Sequence, residues 1–246
     1  NGGNALDFDG VDDFVNIPDD ASLKFGTGDF TIEALVNTSD PNFGGLISKR
    51  DGNIAGYHLN LDSGGRIDFS IGDAGTPITT IPSDNPIDDG NWHHIAGVRS
   101  GNTMLLYVDG VQQSVTKTVT ATSDTNVDLV LGRYRASSTG NYLEGLLDEV
   151  RIWNVARSQA QIDANRNSSV SPASTGLVSY YQFNETAGTT LPDLAGSNDG
   201  MLMNMDPGTD WVPGLVVPGG NPRALTINTS GSGITTFSGE VGGTDA

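Results

Sequence analysis

Apolar positions recur at every second residue over short runs, the period of a half-buried β-strand. In FTIEALVNT, Phe30, Ile32, Ala34 and Val36 oppose Thr31, Glu33, Leu35 and Asn37. Comparable runs are ALDFDG, DFVNIP, GGLISKR, YHLNLD, RIDFSIG, HHIAGVRSG, MLLYVDG, VQQSVT, DLVLGR and GLLDEVRIW. Turn signals DGN, SGG, DDGN and SGN separate them. VDGV, from Val108 to Val111, sets Asp-Gly between apolar flanks, a strong hairpin signal. About a dozen short strands at such spacing predict a sandwich or jelly roll.

One helix is predicted, over Ser158 to Arg166 in RSQAQIDANRN, with Ser158 as N-cap and Ile162 turned inward. Two more strand runs follow, GLVSYYQFN and DGMLMNM, and DWVPG closes the pattern near Gly214. The character then changes. VPGGNP is a linker signal, and the residues after it carry no aromatic except Phe237. The expected division is a jelly-roll domain over 1–216 and a linker and tail over 217–246, the latter also readable as the first rungs of a β-repeat.

One run poses a physical question. Strict alternation in GLLDEVRIWN puts Leu146, Asp148, Val150 and Ile152 on one face and Leu147, Glu149, Arg151 and Trp153 on the other. Asp148 would then point where core residues point. A buried carboxylate is costly unless it is paired or bound to a metal.

Composition narrows the chemistry. The 246 residues carry 12 basic and 30 acidic groups, a formal charge of −18, which disfavours nucleic acid and anionic lipid as partners. No run approaches the roughly 20 apolar residues of a membrane helix, so no membrane insertion is expected. The chain opens at Asn1 without a signal-peptide pattern, as expected of a mature fragment. Five glutamates (Glu33, Glu144, Glu149, Glu185, Glu240) leave 25 aspartates among the acids. Aspartate both caps turns and ligates cations, so a salt-adapted surface and calcium binding each account for the bias. The absence of cysteine excludes disulfides, thiolate metal sites and cysteine nucleophiles. His93 and His94 are neighbours in a strand and face opposite ways, so they cannot chelate one metal together. There is no G-x-S-x-G elbow and no Walker loop. No Glu-x-Asp-x-x-Glu cluster supplies the carboxylate pair that glycoside hydrolysis needs, although aspartates could still form one.

ALDFDGVDDFVNIP, FTIEALVNT, LISKRDGNIAGYHLNL, DGNWHHIAGVRSGNTMLLYVDG and GLLDEVRIWNVARSQAQI occur in an order that resembles laminin G-like, concanavalin A-like jelly-roll domains of bacterial secreted or surface proteins. The resemblance covers residues 4 to 214. It implies an all-β fold: an antiparallel β-sandwich jelly roll with one concave sheet, one convex sheet and one short helix. It also departs from the family. GLVSYYQFNETAGTTLPDLAGSNDG, which in many relatives precedes the segment like ALDFDGVDDF, here comes last. The chain ends should then be neighbours, with the strand near Tyr180 to Phe183 beside the first strand.

The expected function is a non-catalytic, calcium-stabilised binding module for glycan or another cell-surface ligand, extracellular or on the cell surface, and monomeric in isolation. A structural spacer of a giant adhesin without its own ligand is the first alternative, and a glycan-active hydrolase the second. The fold also resembles laminarinase-type hydrolases, but their glutamate cluster is missing. Arg50, Tyr57, Trp92, Arg133 and Tyr134 are candidate ligand-binding residues, at strand ends near glycine-rich turns. For a structural Ca²⁺, Asp148 would be one ligand. The resemblance implies Asn184 or Glu185 of FNETAG as another, with Asp193 and Asp9 as weaker additions. The competing reading is that Asp148 caps amides or pairs with Arg151.

Overall fold

The computed structural model describes residues 3–52, 55–137 and 139–215. The predicted tail, 217–246, lies outside the described residues. In chain order the strands are β1 (Asn4–Asp9), β2 (Phe14–Ile17), β3 (Phe30–Asn37), β4 (Gly44–Arg50), β5 (Gly56–Leu61) and β6 (Ile67–Asp73). Next come β7 (Thr76–Pro82), β8 (Trp92–Ser100), β9 (Thr103–Val108), β10 (Val111–Gln112), β11 (Lys117–Thr118) and β12 (Leu129–Leu131). The last are β13 (Glu144–Trp153), β14 (Leu177–Tyr181), β15 (Thr190–Leu191), β16 (Gly200–Met203) and β17 (Trp211–Pro213). One helix, α1 (Gln159–Asn165), lies between β13 and β14.

All pairings are antiparallel. The first sheet runs β10-β9-β8-β3-β13-β1-β17, with β11 on β9 and β14 on β13. The second runs β15-β16-β2-β12-β4-β5-β6-β7. One apolar cluster joins their inner faces, with Ile32, Val36, Ile95 and Val150 from one sheet and Ile47, Leu59, Phe69 and Leu131 from the other. This is the predicted jelly-roll sandwich. The VDGV hairpin forms as read, with Asp109 and Gly110 at φ 51° and 78°. The helix starts where expected, closed by a capping box between Ser158 and Gln161.

The first and last described strands pair side by side, Asn4 with Pro213, but β14 does not lie beside β1 as expected. Along one edge of β13, β1 pairs with Glu144 to Leu147 and β14 pairs with Val150 to Trp153. Both run antiparallel to β13, so β14 ends where β1 begins. At that junction β13 carries a bulge. Glu149 has φ 52°, and the register with β3 shifts between Asp148 and Arg151. The extra residue changes the phase of the strand. Leu147, Val150 and Ile152 enter the core, while Asp148 and Arg151 stand opposite Leu35 and Glu33 on the outer face. The expected grouping of Asp148 with Val150 and Ile152 is therefore overturned. Asp148 points away from the core, yet it is only 1% exposed.

That outer face is covered by the chain from β13 to β14. Ile162 of α1 packs with Ala96, Val98 and Tyr107 in a second small apolar cluster. Beside it lies a buried ionic network. Glu33 Oε1 accepts from the Trp153 indole at 2.9 Å and lies 3.4 Å from Arg151 Nη1 and 3.6 Å from Arg157 Nη1. His94 Nε2 is 3.4 Å from Glu33 Oε2. Burial alone would raise the Glu33 carboxyl, but the His94 ring and the two guanidiniums hold it down at about 2.

On the second sheet the loop 132–143 crosses the outer face above β4. A Cβ on Gly45 would sit 2.2 Å from the Arg133 carbonyl carbon and the Tyr134 nitrogen, and one on Gly44 would sit 2.8 Å from the Tyr142 oxygen. Only glycines allow so close a crossing. Ser48 Oγ donates to the Tyr134 carbonyl at 2.6 Å and pins the loop to the sheet.

Two predictions follow from these contacts. Replacing Glu33 with Gln leaves Arg151 and Arg157 buried without their carboxylate. Unfolding in urea at pH 7 should show a loss of about 3–5 kcal/mol, the cost of breaking a buried ion pair. The wild-type carboxylate is depressed, so its contribution is complete above about 4.5 and is lost as pH falls toward about 2. The variant should lack that part of the acid slope. Gly45→Ala should cost about 1–3 kcal/mol by overpacking. It should also make the 133–142 loop more susceptible to limited proteolysis than any other loop.

Candidate functional site

Alternation on the second sheet turns Ile47, Leu59, Phe69 and Ile81 to the core. Their neighbours Ser48, His58, Ser70 and Thr80 form a polar row across the outer face of β4 to β7. The crossing loop lays aromatic and cationic side chains over this row. Tyr134 is its centre. Its ring makes edge contacts with Phe43 at 4.6 Å and His58 at 5.3 Å, between centroids. The guanidiniums of Arg50 and Arg135 lie 5.0 and 5.2 Å from the same ring. Arg50 Nη1 donates to the Tyr134 hydroxyl. Arg133 reaches the other way, 4.5 Å over Phe14 and 5.7 Å from Tyr142. Phe43, Tyr134 and Tyr142 are half-buried. His58 is buried, and desolvation with the charges of Arg50 and Arg135 lowers it to about 3.

Of the five predicted ligand-binding residues, Arg50, Arg133 and Tyr134 come together here. Tyr57 does not. It alternates with His58 and so faces the core, where it is fully buried and donates to the Leu23 carbonyl at 3.2 Å. Trp92 begins β8 in the other sheet, opposite Asn37. Phe43, His58, Arg135 and Tyr142 join the cluster without having been singled out. The Gly-Gly pair after Phe43 was their one signal.

The predicted metal ligands separate into three places. Asp148, Asn184 and Glu185 converge where the chain ends meet. The Asp148 Oδ2 atom is buried and without a hydrogen-bond partner among the described residues, as is Glu185 Oε2. Burial, then the neighbouring Glu149 charge, push the Asp148 carboxyl up to about 8. A Cβ on Gly214 would lie 2.9 Å from Asp148 Oδ2 and 2.8 Å from the Asn4 carbonyl oxygen, and one on Gly3 would lie 1.4 Å from Asn184 Oδ1. The two glycines thus let Asn184 Oδ1 and Asp148 Oδ2 come close to the backbone. Asn4 donates from its amide to Asn184 Oδ1 at 3.2 Å and from its side chain to the Glu185 carbonyl at 2.6 Å. Arg151 does not partner Asp148; it pairs with Glu149 and Glu33.

Asp193 is elsewhere and already committed. Its Oδ1 accepts from the amides of Tyr180, Ala195 and Gly196, and its Oδ2 from that of Asn198. Asp9 sits at the far end of β1, opposite Glu144. There its carboxylate lies with those of Asp12 and Asp13, with ligand atoms within 4.8 Å of one another.

A cavity of about 460 Å³ opens beneath α1, lined by Trp153, Arg157, Gln161, Asn165 and serines of the following loop. Its charged group is engaged within the fold: Arg157 stacks 4.0 Å from Trp153 and donates to the Gln161 carbonyl and Asn165 Oδ1.

Known structures share this architecture. A candidate carbohydrate-binding protein from Bacteroides ovatus superposes with TM-score 0.67 at 21% identity, over 82% of this chain and 58% of its own. The binding domain of Paraclostridial Mosquitocidal Protein 1 superposes with TM-score 0.51 at 19% identity, over 63% and 40% of the two chains. For domains LG4-5 of the mouse laminin alpha1 chain the values are 0.50, 17%, 63% and 43%. This chain therefore spans little more than half the length of the first, and less of the others. No curated protein matches the sequence. A family profile matches residues 9–163, from the acidic turn after β1 to the middle of α1. On that match and on the two-sheet sandwich, the chain belongs to the concanavalin A-like lectin/glucanases superfamily.

Proposed function

We propose that the chain is a non-catalytic, calcium-stabilised glycan-binding module of a secreted or surface protein. The observation that carries this reading is the cluster on the second sheet. Three half-buried rings, Phe43, Tyr134 and Tyr142, stand near Arg50, Arg133 and Arg135, where the chain that carries Arg133 to Arg135 and Tyr142 passes close over Gly44 and Gly45. Ring faces flanked by directional donors are what a sugar requires: apolar contact for its C–H face and hydrogen bonds for its hydroxyls. The Bacteroides ovatus protein described as a candidate carbohydrate binder supports the same reading. The glutamates argue against hydrolysis. Glu33 and Glu149 share Arg151 and are 0% and 2% exposed, sealed from any sugar.

The oxygens at Asp148, Asn184 and the Asn4 carbonyl fit a calcium ion, which takes six to eight oxygen ligands and tolerates irregular geometry. A cation there would give the unpartnered Asp148 oxygen its counter-charge and tie the two chain ends together.

Screening the protein on a glycan array should reveal a binding set. For a glycan in that set, Tyr134→Ala and Phe43→Ala should each weaken binding at least about tenfold, or 1.4 kcal/mol. An array without binders, or wild-type affinity in both variants, would sink the site. For calcium, EDTA should lower the melting temperature and added Ca²⁺ restore it, by up to about 4 kcal/mol at a thousandfold excess over Kd. Asp148→Asn should blunt both responses. A melting curve indifferent to EDTA would leave Asp148 as a buried, protonated acid instead.

A further inference from the structure

The charges of the chain are distributed unevenly. Acids outnumber bases 30 to 12, so every base has carboxylates to choose from. Several bases take them. Lys24 and Lys49 bind Asp19, Arg151 and Arg157 bind glutamates, and Arg166 binds Asp163. Arg50 and Arg135 do not, nor do Arg66, Arg99 and Lys117 among the described residues, but of these only Arg50 and Arg135 gather at one aromatic ring. Neither makes an ion pair with any described residue, and the Nε atom of each is without a hydrogen-bond partner among them. Asp51, next to Arg50 in sequence, turns its Oδ1 to the amide of Ala55. The two guanidiniums instead converge on one tyrosine ring, at 5.0 and 5.2 Å.

We propose that Arg50 and Arg135, set against Tyr134, receive the carboxylate of an acidic sugar standing in an otherwise neutral glycan. This rests on the glycan-binding reading above and names the chemical class that site selects. Two positive charges in an acidic protein are left without a carboxylate among the described residues, beside a half-buried tyrosine, and an anion on the ligand completes them. Their field reaches His58, whose ring stays neutral and adds no third charge. Guanidinium offers a carboxylate two parallel donors, and a carboxylate, being far more basic than a sulfate ester, is the stronger acceptor of the two.

The net charge of −18 sets the other limit. A densely charged polyanion is repelled by the whole surface. A single carboxylate is different, because at physiological salt the Debye length is about 8 Å and distant acids are screened, while contact with the arginines is not. The selected ligand is therefore one with isolated acidic residues.

The test is calorimetric titration of the wild-type protein with four probes. They are a neutral oligosaccharide bearing one uronic acid, the same compound with its carboxyl reduced to the alcohol, a monosulfated counterpart, and heparin. The uronate should bind at least about tenfold tighter than the other three. Arg135→Gln, a half-buried position expected to leave the melting temperature unchanged, should remove the preference, bringing the affinity for the uronate down to that for the reduced sugar. Equal binding of uronate and reduced sugar would overturn the acidic-sugar reading and leave the glycan reading standing. Tighter binding of the sulfated sugar or of heparin would overturn the choice of an isolated carboxylate. Binding of none of the four, or of any glycan on the array, would overturn both readings together.

Discussion

The bulge at Glu149 is the constraint on which the first sheet depends. β13 is a central strand, with β3 along one edge and β1 and β14 sharing the other. A single extra residue in that strand separates its two halves and resets which side chains reach the core. Without it, Asp148 would enter an apolar interior, where desolvation has no remedy. With it, Asp148 and Glu149 both leave the core at the gap where one partner strand replaces the other. Glu149 then binds Arg151, Tyr180 and Ser169. Asp148 turns toward the oxygens of the chain ends. The cost is a non-glycine residue at φ 52°, a conformation that persists only where surrounding contacts impose it. The contacts of Glu149 are of that kind.

The two outer faces are then put to different uses. That of the first sheet is closed. Its charges meet each other under α1, and Arg151 alone bridges Glu33, Glu149 and the carbonyls of Asn165 and Ser168. Its carboxylates are neutralised by arginines of the same chain and are sealed from solvent. The face of the second sheet is covered by one loop that brings rings and guanidiniums but no carboxylate ion pair for Arg50 or Arg135 among the described residues. The same residue types thus serve stability on one side and, on the reading proposed above, recognition on the other. What decides is whether the opposing charge comes from within the chain.

The sequence carried much of the first level of this structure. The strands, the VDGV hairpin, the helix with its capping box and the unusual place of the Tyr180 segment are local signals, and each was readable. The bulge was not, because it lies at a glutamate instead of the glycine that commonly marks such a site, and strict alternation looked intact from Gly145 to Trp153. Tyr57 and His58 show the same limit in reverse: both suited a ligand site by type, and only register decides that His58 faces the loop and Tyr57 the core. Phe43, Arg135 and Tyr142 were hidden for another reason. They meet only because loop 132–143 crosses β4, and the one trace of that crossing in the sequence is Gly44-Gly45. Asp193 was misplaced because an aspartate that collects four amides looks, by residue type, like one awaiting a cation.

The chain ends connect these features. Asn184 donates to Gln182, Gln182 to the Tyr180 hydroxyl, and Tyr180 to Glu149, which holds Arg151. An unbroken line of hydrogen bonds therefore runs from the oxygens around Asp148 into the buried ionic network of the first sheet. β14 and β1 are far apart in sequence yet lie in line along one edge of β13. Something non-covalent has to hold them there. The backbone pairing of each with β13 supplies alignment along the strand. The contacts of Asn4 with Asn184 and Glu185 supply the join. Those contacts lie beside the one buried carboxylate oxygen of β13 that has no partner among the described residues. On the calcium reading proposed above, an ion held there would join the end of β14 to the start of β1 through ligand bonds.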